Sequence, residues 1–173
     1  SFHVRKEDKD TFLKLCSYMV QDSENCRKME IDINKGILLT GPVGCGKTSM
    51  MRLIRHIVPH KRTYDIIPAR NITFAFNHIG FKIIEDYGNG RYYCFDDLGV
   101  EPLGRYFGDD CNVMGEVLIS RHELFLQTKI LTHITTNLNA EELEKRYGKR
   151  VRSRMRQMFN LISFDNNTKD KRI

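Results

Sequence analysis

The stretch from Lys35 to Met51, KGILLTGPVGCGKTSMM, restricts what this chain can fold into more than any other. It opens with an apolar run, Gly36 to Thr40, long enough for one buried strand. Gly41 to Thr48 then satisfies the phosphate-binding pattern G-x-x-x-x-G-K-[ST]. A helical pattern follows at once, with Met50, Met51, Ile54 and Ile57 at three- and four-residue spacings. Gly41, Gly44 and Gly46 let the backbone bend until several N–H groups face a polyphosphate. Lys47 is expected to reach the terminal phosphates, and the Thr48 hydroxyl to complete a Mg²⁺ shell. The helix N-terminus adds partial positive charge. The candidate nucleotide contacts are therefore Gly41, Pro42, Val43, Gly44, Cys45, Gly46, Lys47, Thr48 and Ser49.

At 173 residues the length fits one domain with a real core, and 40% hydrophobic against 29% charged residues describes an ordinary soluble globular protein. No apolar run approaches the length of a membrane span and no signal-peptide pattern opens the chain. The five cysteines (Cys16, Cys26, Cys45, Cys94 and Cys111) include no C-x-x-C pair, which argues against a zinc site or disulfide framework and for a reducing cytoplasm. The net charge of +6 permits nucleic-acid binding without establishing it. Much of it is concentrated in Lys145, Arg146, Lys149, Arg150, Arg152, Arg154 and Arg156, a run that reads either as a solvated face or as a site for phosphates.

In chain order, Asp10 to Met29 reads as one amphipathic helix carrying Phe12, Leu15, Cys16 and Met19. Residues 1–30 thus form a leading helical segment before the main domain, 31–173. Strands are expected at Gly36–Thr40, Arg62–Ile67, Arg91–Phe95, Lys129–Thr135 and Phe159–Phe164. Helices are expected at Thr48–Val58, Ala69–Tyr87 with a break near His78–Gly80, Val113–Gln127, Ala140–Tyr147 and Lys149–Met158. Val100 to Asp110 reads as a polar loop. This alternation predicts a three-layer α/β domain with a five-stranded parallel sheet. Ligands of such sheets gather at the carboxyl ends of the strands, where the phosphate loop, Asp96-Asp97 and Asn137 are expected to converge.

Asp96 follows Tyr-Tyr-Cys-Phe, a place from which a carboxylate can hold a Mg²⁺-bound water, and Asp97 is then placed to orient or deprotonate an attacking water. The amide of Asn137 can polarise the same water. A turn or a helix cap would use the same residue types. The arginines around Arg154 meet phosphates either on a transferring phosphoryl group or on a nucleic-acid backbone.

Taken together, GPVGCGKT, CFDDLG, ITTNL and RYGKRVRSRM resemble the AAA+ superfamily, and within it the DnaC/IstB group of helicase loaders and transposition helper ATPases. The resemblance implies a P-loop ATPase that binds ATP and Mg²⁺ between subunits, with Lys47, Asp97, Asn137 and Arg154 catalytic and Thr48 and Asp96 on the metal. Arg154 takes the place of an arginine finger reaching the next subunit's nucleotide, with Arg150 as second candidate, and Arg172 in Lys169-Asp-Lys-Arg172 resembles the sensor-2 arginine. Two departures are visible: Asp97 stands where the superfamily generally has glutamate, and the glycine expected before Arg172 is missing. No helical lid follows the last strand, which suits the small loader type. The implied partners are DNA, a replicative helicase or transposase, and further copies of the chain in a ring or filament. A small-molecule kinase and a nucleotide-gated DNA scaffold with vestigial hydrolysis remain as alternatives.

Overall fold

The computed structural model describes residues 5–59 and 62–164. The leading segment forms two helices rather than one: α1, Lys9–Met19, and α2, Ser23–Lys28. Between them Gln21 takes a φ of 59°, and the Asp22 carboxylate caps α2 through the Asn25 N–H at 3.0 Å. A side chain that caps a new helix competes with continuing the old one, which is why the periodicity runs through a break. Leu15, Tyr18 and Met19 bury the inner face of α1, and the Tyr18 hydroxyl donates to the Lys35 carbonyl at 2.6 Å.

The main body holds β1, Gly36–Thr40; α3, Lys47–Ile54; β2, Asp65–Pro68; α4, Ala69–Ile79; α5, Lys82–Tyr87; and β3, Tyr93–Leu98. It continues with β4, Gly104–Tyr106; β5, Asp109–Cys111; α6, Val113–Thr128; β6, Thr132–Thr136; α7, Ala140–Met158; and β7, Phe159–Ser163. The sheet runs β2-β3-β6-β1-β7, and all of its pairings are parallel. Right-handed crossovers in that order put α1 and α3 on one face and α4 to α7 on the other. The central strand β6 and its neighbour β1 are almost wholly buried, as a sheet covered on both sides requires.

Several boundaries move for physical reasons. α3 stops at Ile54, and Arg55 to Val58 tightens into turns, with the His56 and Ile57 N–H groups bonding back to Leu53 and Ile54. The expected Ala69–Tyr87 helix does break, at Gly80, where φ is 79° and a Cβ would lie 2.6 Å from the Tyr106 ring. The expected polar loop after Val100 contains the antiparallel hairpin β4–β5, whose tip exposes Phe107. The basic run forms the two helices expected, which meet end to end at the non-helical Gly148 (φ 83°, ψ 162°) and are labelled together as α7.

Two buried polar side chains brace the layers. Arg121 of α6, 0% exposed, donates to Thr132 Oγ1 at 2.8 Å and to the carbonyls of Asn89 at 2.6 Å and Arg91 at 2.9 Å. Burial lowers its pKa to about 10. His133 accepts the Ile37 N–H on Nδ1 at 3.1 Å, and burial, with the Arg121 charge, lowers its pKa to about 3, so it is neutral.

Candidate nucleotide site

The carboxyl edge of β1, β3 and β6 gathers the phosphate loop, the paired aspartates and Asn137 in one place. Gly46, in the left-handed region at φ 99°, delivers the chain into α3, and Lys47 is the first residue of that helix. A side chain at Gly41 would press within 2.8 Å of the Phe164 Cβ and 3.1 Å of the Cys45 Sγ, so this turn requires glycine. The Lys47 ammonium is nearly buried and donates to the carbonyls of Gly41 and Pro42, each at 2.8 Å, and to Asn137 Oδ1 at 2.6 Å. Three oxygens therefore locate the charge where a polyphosphate laid across the loop would meet it. Val43 and Ser49 are exposed, whereas Gly44 and Cys45 are buried beneath the loop.

Asp96 and Asp97 lie inside β3, not beyond its end. Phe95 pairs with Ile134 and Leu98 with Thr136, so β3 carries one more residue than β6 over the same span. That bulge puts Asp97 at φ 52°. Asp96, 6% exposed, accepts the Thr48 hydroxyl at 2.9 Å on Oδ1 and 3.0 Å on Oδ2. Thr135 holds the bulge: its hydroxyl donates to Asp96 Oδ1 at 2.6 Å and accepts the Asp97 N–H at 2.9 Å. Thr135 belongs to this site although only Asn137 of the ITTNL stretch was expected there; paired hydroxyls at the end of an apolar strand, His-Ile-Thr-Thr, are the available signal.

Thr48 and Asp96 offer hard oxygen donors of the kind Mg²⁺ takes when substrate phosphates and waters supply the rest of its shell. Among the described residues no cluster of His, Cys, Asp and Glu could hold a metal by itself. The donor set thus fits an ion that arrives with phosphates.

Below the aspartates the chain turns at Gly99, with φ 104°. The Gly99 N–H donates to Glu101 Oε2 at 2.7 Å, and the buried Glu101 also accepts the Tyr147 hydroxyl. Arg146 donates to the Glu101 carbonyl and lies 3.8 Å from its carboxylate. This knot joins the aspartate strand to α7. Glu101 was not among the expected site residues; an acid in an otherwise apolar Val-Glu-Pro-Leu is its only mark in the sequence.

Arg154 is not brought to the edge. It sits half-buried on α7, with Nη1 donating to the Arg150 carbonyl at 3.2 Å. Arg150 is exposed. Arg172 lies outside the described residues.

No family model matches the chain, and no curated protein does. Solved structures do. The crystal structure of the DnaC helicase loader superposes with a TM-score of 0.66 at 18% identity, covering 95% of this chain and 94% of that one. The likeness is one of fold: this chain shares the three-layer α/β architecture of that structure over nearly its whole length. DnaI superposes with a TM-score of 0.65 at 18% identity, covering 94% and 87%. The replication initiator DnaA bound to AMPPCP and single-stranded DNA gives 0.57 at 16%, covering 98% of this chain and 50% of that one. In this chain the β2-β3-β6-β1-β7 order brings Lys47, Asp96 and Asn137 to one edge of the sheet. Among the described residues no helix is long and apolar enough to cross a membrane.

Proposed function

We propose that this chain is a Mg²⁺-dependent ATPase of the AAA+ type that acts with DNA in replication, as a helicase loader or as the helper ATPase of a mobile element. One observation carries the reading: Lys47 bonds to Asn137, and the adjacent Thr48 to Asp96, at the sheet edge where the phosphate loop ends. Lys47 binds the terminal phosphates and exchanges its carbonyl partners for them. Thr48 and Asp96 hold Mg²⁺, which when bound neutralises phosphate charge. Asp97, set at the bulge, orients the attacking water, and the Asn137 amide polarises it. Asp97 is one methylene shorter than glutamate, so turnover by the isolated chain is slow. Arg154, away from its own chain's site, stabilises the nucleotide of a neighbouring copy, so ATP assembles a ring or filament. DNA is held by the basic residues of that assembly, with a steep dependence on salt. The DnaA neighbour bound to AMPPCP and single-stranded DNA supports both ligands. All five cysteines are free thiols, which supports a cytoplasmic setting.

Sedimentation with and without ATP and DNA, beside phosphate release, tests the proposal. Lys47→Ala is expected to lower ATP affinity at least 100-fold, which is about 2.7 kcal/mol, and to abolish ATP-dependent assembly. ATP-dependent DNA binding without phosphate release would instead favour the scaffold. Full turnover by dilute monomer would remove the role given to assembly.

A further inference from the structure

One buried charge beside the phosphate loop is not used by the site above. Arg152 of α7 is only 8% exposed, and its Nε has no hydrogen-bond partner. Among the described residues its guanidinium makes no hydrogen bond and no ion pair. A nearly buried cation left in this state is costly unless something else meets it. Burial, and secondarily the Arg156 charge, depress its pKa, with Glu144 acting in the opposite sense.

Arg152 lines a cleft of about 410 Å³ shared with Gly41, Pro42, Asn137 and Ser163. Gly41, Pro42 and Asn137 are also the residues that hold the Lys47 ammonium. The cleft that Arg152 lines therefore includes the anchorage of the lysine expected to take the terminal phosphates. A guanidinium offers a planar fork of donors suited to a phosphate. We propose that Arg152 binds the terminal phosphate of a nucleoside triphosphate held on its own chain, so that the chain separates triphosphate from diphosphate without a neighbour's help.

This presupposes that the phosphate loop holds a nucleotide. It also has a mechanical consequence. Arg152 and Arg154 lie on the same part of α7, beyond the kink at Gly148, where φ is 83° and ψ 162° and a Cβ would meet nothing within 4 Å. Seating Arg152 on a phosphate orients the half-helix from which Arg154 projects.

The test measures affinities of AMPPCP and ADP, with Mg²⁺, for the wild-type chain and for Arg152→Met and Arg152→Lys, at concentrations where sedimentation shows monomer. Methionine keeps the packing of the stem and removes the charge. Arg152→Met is expected to weaken AMPPCP at least tenfold while ADP stays within twofold. Arg152→Lys should fall between. Thermal unfolding of the nucleotide-free Arg152→Met chain should be no lower than wild type, because the lost charge had no partner. Equal weakening of both nucleotides, no weakening of either, or a clearly lower melting temperature would overturn the proposal. So would inorganic phosphate binding the nucleotide-free chain as tightly as AMPPCP does and losing that affinity in Arg152→Met, since the cleft would then be a site for free phosphate. If wild-type chain bound neither nucleotide, the nucleotide reading itself would fall. Loss of discrimination in wild type alone would sink only the role of Arg152.

Discussion

The two halves of α7, on either side of the non-helical Gly148, follow one another directly in sequence but are opposites in how they are held. The first half is tied down throughout. Asn139 and Glu142 close a reciprocal capping box, with bonds of 2.9 and 2.8 Å. The Arg146 carbonyl accepts from Asn112 at 3.0 Å, and Arg146 and Tyr147 both reach Glu101. The second half buries Val151 and Met155 but leaves its guanidiniums with little to do. Arg152 makes no hydrogen bond or close ion pair among the described residues, Arg154 bonds only to the helix backbone, and Arg156 meets Glu144 at 4.0 Å on the surface. A contact of that last kind contributes little. Charges that stabilise nothing in the chain that bears them are free to bind something outside it, so the first half reads as scaffold and the second as equipment.

The largest expected effect lies on the second half. Arg154→Ala should lower DNA-stimulated ATP turnover of the assembled protein by about 10³, the low end for a transferred arginine. The denaturation midpoint should scarcely change. Mixing Arg154→Ala with a Lys47→Ala chain sharpens the point, because each supplies what the other lacks and mixed assemblies should regain activity. A collapse in stability with Arg154→Ala would break the contrast.

On the first half the order reverses. Glu101→Ala strips a buried carboxylate from Tyr147, Arg146 and the Gly99 N–H at once. Leaving a buried hydroxyl and an amide unpaired costs about 3 kcal/mol. Urea denaturation should show that loss, and ATP turnover should fall as well, because the Gly99 turn supports the strand carrying Asp97. Full stability in Glu101→Ala would mean that the knot is ornamental. Between the halves, Gly148→Ala forces a side chain into φ 83°, ψ 162°, a region open essentially to glycine, at about 2 kcal/mol. Nothing lies within 4 Å of the added Cβ, so any loss measured in the melt comes from the backbone and not from a clash.

How much of this could be read beforehand follows from whether a feature depends on neighbours in sequence or in space. Gly36 to Thr48 is legible because strand, turn and helix start are all local, and β1 lies where the apolar run puts it. The Gly80 break is legible for the same reason. Asp96-Asp97 look like the end of a strand, since two acids rarely continue a buried one; they continue it because Thr135 and Thr48 on other elements satisfy Asp96. Glu101 and Arg152 are invisible as individuals. The first is one acid among many, and the second is one of several arginines whose burial depends on how α7 lies over the sheet. The hairpin after Gly99 escapes because strands as short as Gly104–Tyr106 carry too few residues for a period.

The smallest expected effect tests the start of the scaffold half. In Asn139→Ala the Glu142 N–H loses its acceptor, while the Glu142 carboxylate can still accept from the residue 139 N–H. Removing such a cap costs about 1 kcal/mol. Because residue 139 is exposed, little packing goes with it, and a fall in the urea midpoint without a change in slope is the signature to look for. Asn139→Asp, which keeps an acceptor at the same place, should restore most of the loss. The two variants should leave the ratio of AMPPCP to ADP affinity at the wild-type value, since that ratio is assigned to the half beyond Gly148. If the cap variant instead moved the ratio by tenfold, the kink would transmit rather than insulate, and the two halves of α7 would have to be treated as one lever.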